Sequence, residues 1–232
     1  MDSRPQLLYA VSMNMPTDSS SFHEDFLGLK MKLFVNLRTL RLPYISVRHA
    51  VNSTQPTRNV DFYRQRTTYS YFLPIQTRWQ DNDQYGHVNN AVYHGYFDTL
   101  INHYLIRYCG LNTNRRSSSM VGFIVTNQCS FHKPVKFPEN PLASLAVEKI
   151  GRSSVHYRMA LFNQVPTKKS ISIHFNILND GCFSDWSALE GFESLACTTA
   201  MSTHVFVDTM SEKPKELPEG FKKGLQKIMI PL

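Results

Sequence analysis

The chain has 232 residues and a formal net charge of +7 at pH 7. Hydrophobic residues make up 42% of it and charged residues 19%, a balance that argues against a disordered or fibrous chain. No segment approaches the roughly 20 consecutive apolar residues of a membrane-spanning helix. The positive charge fits anionic partners such as phosphates, and fits equally a mildly basic protein without them.

The four cysteines indicate neither a metal site nor a disulfide scaffold. Cys109, Cys129, Cys182 and Cys197 form no C-x-x-C pair, and their wide spacing favours a reducing compartment. The sequence also contains no G-x-S-x-G motif and no recognisable Cys–His arrangement. We therefore expect no bound metal, no cofactor, and neither a serine nor a cysteine hydrolase mechanism.

The first 68 residues are expected to form a disordered extension. Residues 31–60 contain no acidic side chain, and basic residues are spread among apolar ones, which is typical of a mitochondrial transit peptide. This stretch begins at Met31, whereas transit peptides begin at the start of a chain. Either Met31 is a start site and the protein is mitochondrial, or the stretch is a disordered basic arm of a cytoplasmic protein.

A long helix is predicted from Val92 to Cys109. Its apolar side chains recur at spacings of three and four residues, which places them on one face of the helix. Gly110 follows as a helix stop. The apolar face comprises Tyr93, Phe97, Leu100, Ile101, Tyr104, Leu105 and Tyr108.

Five strand-like segments accompany this helix, one before it and four after it. They are rich in β-branched and aromatic residues, and turn residues separate them. This order favours an α+β fold in which the helix packs against an antiparallel sheet. The segments are Tyr71–Trp79, Gly122–Phe131, Pro141–Ile150, Val155–Asn163 and Leu195–Val207, and a short closing helix is predicted at Gly220–Ile228.

Residues 165–194 interrupt two strands that are expected to be hairpin neighbours. The closure entropy of a loop grows slowly with its length, so a long insertion at a hairpin tip is tolerated. We interpret these residues as an inserted segment, and the sequence leaves its role open.

The densest polar cluster lies between the first strand and the long helix. It reads WQDNDQYGHVNN from Trp79 to Asn90. A helix N-terminus presents unpaired N–H groups that can hold an oxyanion, and a nearby carboxylate can attack a thioester or activate water. Asp, Asn and Gly before a helix are also ordinary capping residues, so the pattern alone supports capping as well as catalysis.

The run TRWQDNDQYGHVNNAVYHGYFD resembles the signature of the 4-hydroxybenzoyl-CoA thioesterase family of hotdog proteins. The later segments SFHKPVKFPE and VEKIGRSSVHYRMALF also resemble that family, and together the similarity covers residues 69–164 and 195–227. The resemblance implies a hotdog domain over residues 69–228, with one long helix packed against a strongly curved five-stranded antiparallel sheet.

The resemblance also implies roles for residues of the polar loop. Asp83 corresponds to the catalytic carboxylate, acting as nucleophile or general base, and the backbone N–H of Asn90 to the oxyanion donor. Asp81 is expected to support the loop. Gly86 and Tyr93 are expected to contact the substrate, with Tyr93 packing in or lining the acyl pocket.

His87 has three interpretations. It can steer the water or the acyl group, it can hydrogen-bond the loop, or it can bind a metal with His94. No third ligand lies at a helical spacing on that face, which disfavours the metal.

Coenzyme A carries phosphates, so cations and hydroxyls are expected near the mouth of the site. The candidates lie in the two family-like turns, and each is also compatible with a solvated turn. They are Lys133, Lys136, Arg152, Ser153 and Ser154.

The leading functional prediction is hydrolysis of an acyl-CoA to a free acid and coenzyme A by a homodimer or homotetramer. The alternative is a hotdog module that binds acyl-CoA or acyl carrier protein without catalysis. No Asp–His motif for a hydratase is found. Much of the positive charge lies in the N-terminal extension, where targeting explains it, so a nucleic-acid partner is not expected.

Overall fold

The computed structural model describes residues 60–114, 116–166, 175–184 and 187–231. The basic stretch before residue 60 lies outside them, so the extension up to there and the mitochondrial localisation stay predictions. The elements are β1 Tyr71–Pro74, α1 Asn90–Cys109, β2 Met120–Phe131, β3 Leu142–Ile150, β4 Ser154–Phe162, α2 Phe175–Asp180, β5 Cys182–Phe183, β6 Thr198–Asp208 and α3 Glu219–Gln226. Short 3-10 helices span Val60–Arg64, Arg66–Thr68, Trp79–Asp81 and Ser187–Gly191.

The strands form one curled antiparallel sheet in the order β2-β6-β4-β3-β1-β5. The predicted α+β class is confirmed, and each of the five predicted strands is present. The sixth strand, β5, was not predicted. It comes from the inserted segment and has only two residues, too few to show an alternating pattern.

Helix α1 packs its buried face against the sheet. The predicted apolar face is confirmed from Tyr93 to Leu105, and Tyr96 and Cys109 are buried as well, whereas Tyr108 is half-buried. Helix α3 packs beside α1, where the Tyr104 hydroxyl donates to the Gly224 carbonyl at 2.8 Å. The principal core therefore lies between the two helices and one face of the sheet.

Residues 60–68 are part of the folded domain, which corrects the expected boundary at residue 69. Phe62 and Tyr63 pack against a second core on the other face of the sheet. The Tyr63 hydroxyl donates to Glu148, and the guanidinium of Arg158 lies 4.1 Å from the Tyr63 ring. The 3-10 turns of this segment are too short to produce a periodic pattern, so its packing could not be read from the sequence.

The two ends of the inserted segment lie side by side where they meet the sheet. Val165 N donates to Gly191 O at 2.9 Å, and Glu193 N donates to Asn163 O at 2.9 Å. Strands β4 and β6, which precede and follow the segment in the sequence, pair directly with each other. Between these ends, α2 and β5 reach the far edge of the sheet, where β5 pairs with β1.

The side chains of Tyr71, His103 and Tyr108 bind α2 at that edge. His103 Nε2 lies 2.8 Å from Asn179 O, and its Nδ1 lies 2.8 Å from the Tyr71 hydroxyl. The Tyr108 hydroxyl donates to Asp180 O at 2.6 Å. The segment is thus docked on β1 and α1 by specific polar contacts.

Replacing Gly181 with Ala should destabilise this docking. Gly181 has φ of +67°, and an added Cβ would lie 2.1 Å from the Tyr71 hydroxyl oxygen. We expect a loss of about 1–3 kcal/mol in the free energy of unfolding, measured by urea denaturation, with faster hydrogen exchange in Cys182–Phe183. Gly220→Ala is the matched control, since nothing lies within 4 Å of its added Cβ. Equal stability of the two variants would contradict the prediction.

Candidate active site

The polar loop is anchored by the buried carboxylate of Asp81, which is 1% exposed. Its Oδ2 accepts hydrogen bonds from the Arg78 backbone N at 2.7 Å and from the Tyr96 hydroxyl at 2.6 Å. Its Oδ1 accepts from Arg78 Nε at 3.0 Å, and the Arg78 guanidinium completes an ion pair. The Asp81 carbonyl accepts from Asn89 N at 2.8 Å. Asp81 therefore ties the segment that follows β1 to the start of α1.

These contacts keep Asp81 ionised. Burial alone would raise the pKa of its carboxyl, but hydrogen bonds from Tyr96 and Arg78 outweigh burial and lower that pKa below its ordinary value. Burial and the adjacent carboxylate raise the pKa of the Tyr96 hydroxyl, which stays a donor. Asp81 supports the loop, as predicted, and its oxygen atoms are occupied by protein donors.

Asp83 sits in the next turn of the loop and is half-buried. Its backbone N donates to His87 O at 2.8 Å, and its carbonyl accepts from Gly86 N at 3.1 Å. The φ of Gly86 is +79°, which explains why glycine occupies this tight turn. Asp83 Oδ1 accepts from Tyr85 N at 2.8 Å, whereas Oδ2 accepts no hydrogen bond from the described part of the chain.

The first N–H group of α1 is also unpaired. The Asn89 side chain caps the helix by accepting from Ala91 N at 2.9 Å, and the Asn89 carbonyl accepts from Val92 N at 2.8 Å. Within the resolved ranges, Asn90 N has no acceptor, and it carries the partial positive charge of the helix N-terminus. Local capping is thus real, and it leaves Asn90 free to bind an oxyanion.

Asp83 and Asn90 line the same open cleft of about 510 Å³. The cleft also contains Tyr93, His87 and Lys133, so five predicted site residues converge there, and Gly86 shapes the turn beside them. The Tyr93 hydroxyl accepts from Val135 N at 3.2 Å, and its ring meets Phe131 edge-on at 5.0 Å. The His87 side chain is exposed. Sequence reasoning missed five further lining residues, Tyr85, Val88, Phe131, His132 and Pro134.

Two of the predicted phosphate ligands lie beside the loop. Lys133 makes an ion pair with Glu193, at the end of the inserted segment, with a distance of 2.9 Å. Lys136 is exposed, and its backbone N donates to a Glu139 carboxylate oxygen at 3.2 Å. Lys133 can therefore bind a phosphate only in competition with Glu193.

The turn containing Arg152, Ser153 and Ser154 lies away from the cleft of the same chain. Ser154 pairs with Val205 near the end of β6, and Ser153 O accepts from Phe206 N at 2.7 Å. The cleft instead adjoins the start of β6, where Thr198 pairs with Phe131. A single chain therefore does not bring these three residues to Asp83.

Cys129 contacts His94, a pair that the sequence analysis did not find. Sγ of Cys129 lies 3.7 Å from Nδ1 of His94, which joins β2 to α1. Burial raises the pKa of the Cys129 thiol to about 11, so the thiol is protonated near neutral pH and is a weak nucleophile. The contact depends on residues 35 positions apart, so no local motif signals it.

The described residues contain neither a metal-binding cluster nor a membrane-spanning helix. No group of three or more His, Cys, Asp or Glu side chains there is arranged to hold a metal ion. No helix among them combines the length and apolar character needed to cross a bilayer.

Family comparison places this fold and site in context. A family model described as the thioesterase-like superfamily matches residues 77–225, which include the polar loop, α1 and the sheet strands that follow. The chain belongs to the thioesterase-like superfamily. No curated protein matches the sequence.

Solved structures agree with this assignment. The PA5185 protein from Pseudomonas aeruginosa strain PAO1 is 34% identical over 72% of this chain and 96% of that chain, with a TM-score of 0.58. The SAV2348 protein from Staphylococcus aureus in complex with CoA is 11% identical over 71% of this chain and 89% of that chain, with a TM-score of 0.52. A variant of 4-hydroxybenzoyl-CoA thioesterase bound to 4-hydroxybenzoyl-CoA is 18% identical over 68% and 99%, with a TM-score of 0.52. The last two likenesses bear on the fold alone, and the predicted hotdog fold is confirmed.

Replacing Asp81 with Asn should lower stability. The amide keeps the size of the side chain but loses the charge that three donors address, so we expect a loss of about 1–3 kcal/mol in the free energy of unfolding at pH 7. Because the folded-state pKa of Asp81 is lowered, its contribution exists above the unfolded value of about 4 and disappears as pH falls through the folded value. Urea denaturation at several pH values should show the difference shrinking in acid. Asp83→Asn is the control, with an expected change below about 1 kcal/mol. A pH-independent difference would refute the assignment.

Proposed function

We propose that this protein is an acyl-CoA thioesterase that releases a carboxylic acid and coenzyme A. Its superfamily supports thioester hydrolysis in general, and one observation carries the finer proposal. The free Oδ2 side of Asp83 and the unpaired N–H of Asn90 belong to one cleft, at the N-terminus of α1. Such a pair is what addition to a thioester carbonyl needs, since one group supplies or activates the nucleophile and the other stabilises the oxyanion.

The chemistry balances with these two groups and one water molecule. Either Asp83 attacks the carbonyl carbon directly or it removes a proton from the attacking water. The new C–O bond places negative charge on the carbonyl oxygen, where Asn90 N–H donates a hydrogen bond. Collapse breaks the C–S bond. In the general-base route, Asp83 passes the proton taken from water to the leaving thiolate. In the nucleophilic route, the thiolate takes a proton from solvent, and water then hydrolyses the acyl–Asp83 intermediate and releases a proton.

We further propose that the active form is a homodimer that pairs through β2. This edge strand has 12 residues, bonds only to β6 within the described fold, and contains neither Pro nor a charged residue. Apolar side chains stand exposed along it, including Phe123, Val125 and Phe131. Native edges of this length are ordinarily covered or protected by charge, so a second copy is the fitting occupant.

Antiparallel self-pairing would also reunite the predicted site residues. A twofold axis near Val125 sets the Phe131 end of one β2 against the Met120 end of the other. The Asp83 cleft of one copy then lies at the same end of the paired sheet as the Arg152 turn of the second copy. This arrangement gives Arg152, Ser153 and Ser154 a role in holding CoA phosphates across the interface.

Asp83→Asn should abolish most of the hydrolysis. We expect kcat to fall by about 100-fold or more, because the amide can neither attack nor accept a proton. CoA release is measured with short, medium, long and aryl acyl-CoAs, and Glu219→Gln is the control carboxylate outside the cleft. If the variant keeps the wild-type rate, Asp83 is not catalytic. If neither protein releases CoA while acyl-CoA binds, the protein is the non-catalytic binding module.

Val125→Lys should convert the dimer into a monomer. The added charge lies at the middle of the exposed edge, where Val125 is 57% exposed, and it would be buried against a second copy. We expect sedimentation analysis to show dimeric wild type and monomeric variant, and CoA release to fall roughly tenfold or more. Met210→Lys is the matched control, since Met210 is 91% exposed in a turn outside the sheet. A monomeric wild type would exclude this assembly.

A further inference from the structure

A second cavity lies between α1, β2 and β6, at the opposite end of β2 from the Asp83 cleft. Its volume is about 560 Å³, within the range of small-molecule pockets. Its walls include Leu105 from α1, Met120 from β2 and Phe206 from β6, which give it an apolar interior.

The polar side chain of His204 lines this cavity from the sheet, and the lining also includes Asn102, Asn112, Thr113, Ser118 and Thr209. His204 is 4% exposed, and its Nε2 is buried without a hydrogen-bond partner among the described residues. The ring packs edge-on against Tyr157 at 5.0 Å. A buried unpaired nitrogen is costly, and an apolar residue would fill this position without that cost, which points to a ligand as its partner.

The chemistry of the cavity restricts that ligand. Burial lowers the pKa of His204 to about 4, so near neutral pH its imidazole is uncharged and exchanges hydrogen bonds with hydroxyl or carbonyl groups. The charged residues among the described lining are the carboxylates Asp98, Asp208 and Glu212. Asp208 is paired with Lys215, whereas Asp98 and Glu212 repel the phosphates of coenzyme A and any acidic substituent, so the cavity suits a neutral, oxygen-bearing group.

The position of the cavity connects it to the reaction. It contacts Met120–Ile124, whereas the Asp83 cleft contacts Phe131 at the far end of the strand. In the antiparallel pair, these two ends meet across the interface. An acyl group whose thioester lies at Asp83 of one copy can therefore extend into the cavity of the second copy.

We propose that this cavity receives the distal part of the acyl group and that the His204 imidazole hydrogen-bonds a hydroxyl or keto oxygen on it. The inference rests on the proposed thioesterase function and names its substrate class, a neutral oxygenated acyl group. His204 selects the substrate, and Asp83 and Asn90 act on the thioester.

The test uses pairs of acyl-CoAs that differ only in a terminal hydroxyl, such as octanoyl-CoA with its ω-hydroxy form and benzoyl-CoA with its para-hydroxy form. We expect the wild type to prefer the hydroxylated member of at least one pair by about threefold to tenfold in kcat/KM, the value of one hydrogen bond. His204→Leu should remove the preference, and His204→Gln should retain part of it. Both kcat/KM values of a pair are measured on the same protein sample. A fraction of misfolded variant therefore lowers both values equally and leaves their ratio unchanged.

His156→Leu is the matched control, because His156 lies on the opposite face of the sheet, where its Nδ1 is 3.2 Å from the Thr203 hydroxyl. It should leave the ratio unchanged. The proposal is overturned if the wild type prefers the plain member of every pair, or if His204→Leu leaves the ratio as it was.

Failure of the thioesterase function is distinguished by binding. Calorimetry of the same pairs with Asp83→Asn protein measures affinity without turnover, and it should show the same preference, lost when His204→Leu is added. If no protein releases CoA but this preference remains, the cavity proposal holds and only the hydrolysis is wrong. Equal affinities within every pair would reject the cavity proposal.

Mixed dimers test whether the cavity serves the second copy. A dimer of one Asp83→Asn chain and one His204→Leu chain, isolated with two affinity tags, has one intact Asp83. Across the interface, that Asp83 faces an intact His204, so the wild-type ratio is expected. If the mixed dimer instead shows the kcat/KM ratio of the His204→Leu protein, the cavity acts within its own chain. That result would overturn the shared site.

Discussion

The buried carboxylate of Asp81 is the constraint on which the site depends. It binds the backbone and guanidinium of Arg78 on one side and the Tyr96 hydroxyl, two turns into α1, on the other. Its own carbonyl accepts from Asn89, the cap residue of the helix. Asp81 therefore fixes the polar loop relative to α1. The distance between Asp83 in the loop and Asn90 at the start of the helix depends on this attachment.

Asp81 and Asp83 lie two positions apart in the sequence and consequently have different roles. Asp81 is saturated with donors and keeps its charge as part of the fold, whereas one oxygen of Asp83 has no donor among the residues that the structure describes. The sequence pattern alone could not separate these roles, because capping and catalysis use the same residue types before a helix. Family resemblance separated them, since it attaches each role to a position in the motif. The contacts of Asp81 supply the physical reason for its part.

Periodic elements were predictable and aperiodic contacts were not. Helix α1 carries a 3.6-residue pattern and β6 alternates, whereas the other predicted strands are recognisable by their β-branched and aromatic residues. The bounds of these six elements agree with the structure within a few residues except at β1, which ends early at Pro74. The two-residue β5 and the 3-10 turns at 60–68 have no such period. The pairing of His94 with Cys129 depends on how α1 lies over β2. The distance between Arg152 and Asp83 depends on the order of the strands in the sheet. Neither property is encoded by local spacing.

The inserted segment makes the two borders of the sheet unequal. One border is the long, uncharged β2, and the other ends in two residues of β5 beside α2. A sheet with two open borders can add copies without end and grow into a fibre, whereas a sheet with one open border is complete after a single pairing. In the proposed dimer, the described part of the insertion, α2 and β5, would cover the second border and limit the assembly to two copies.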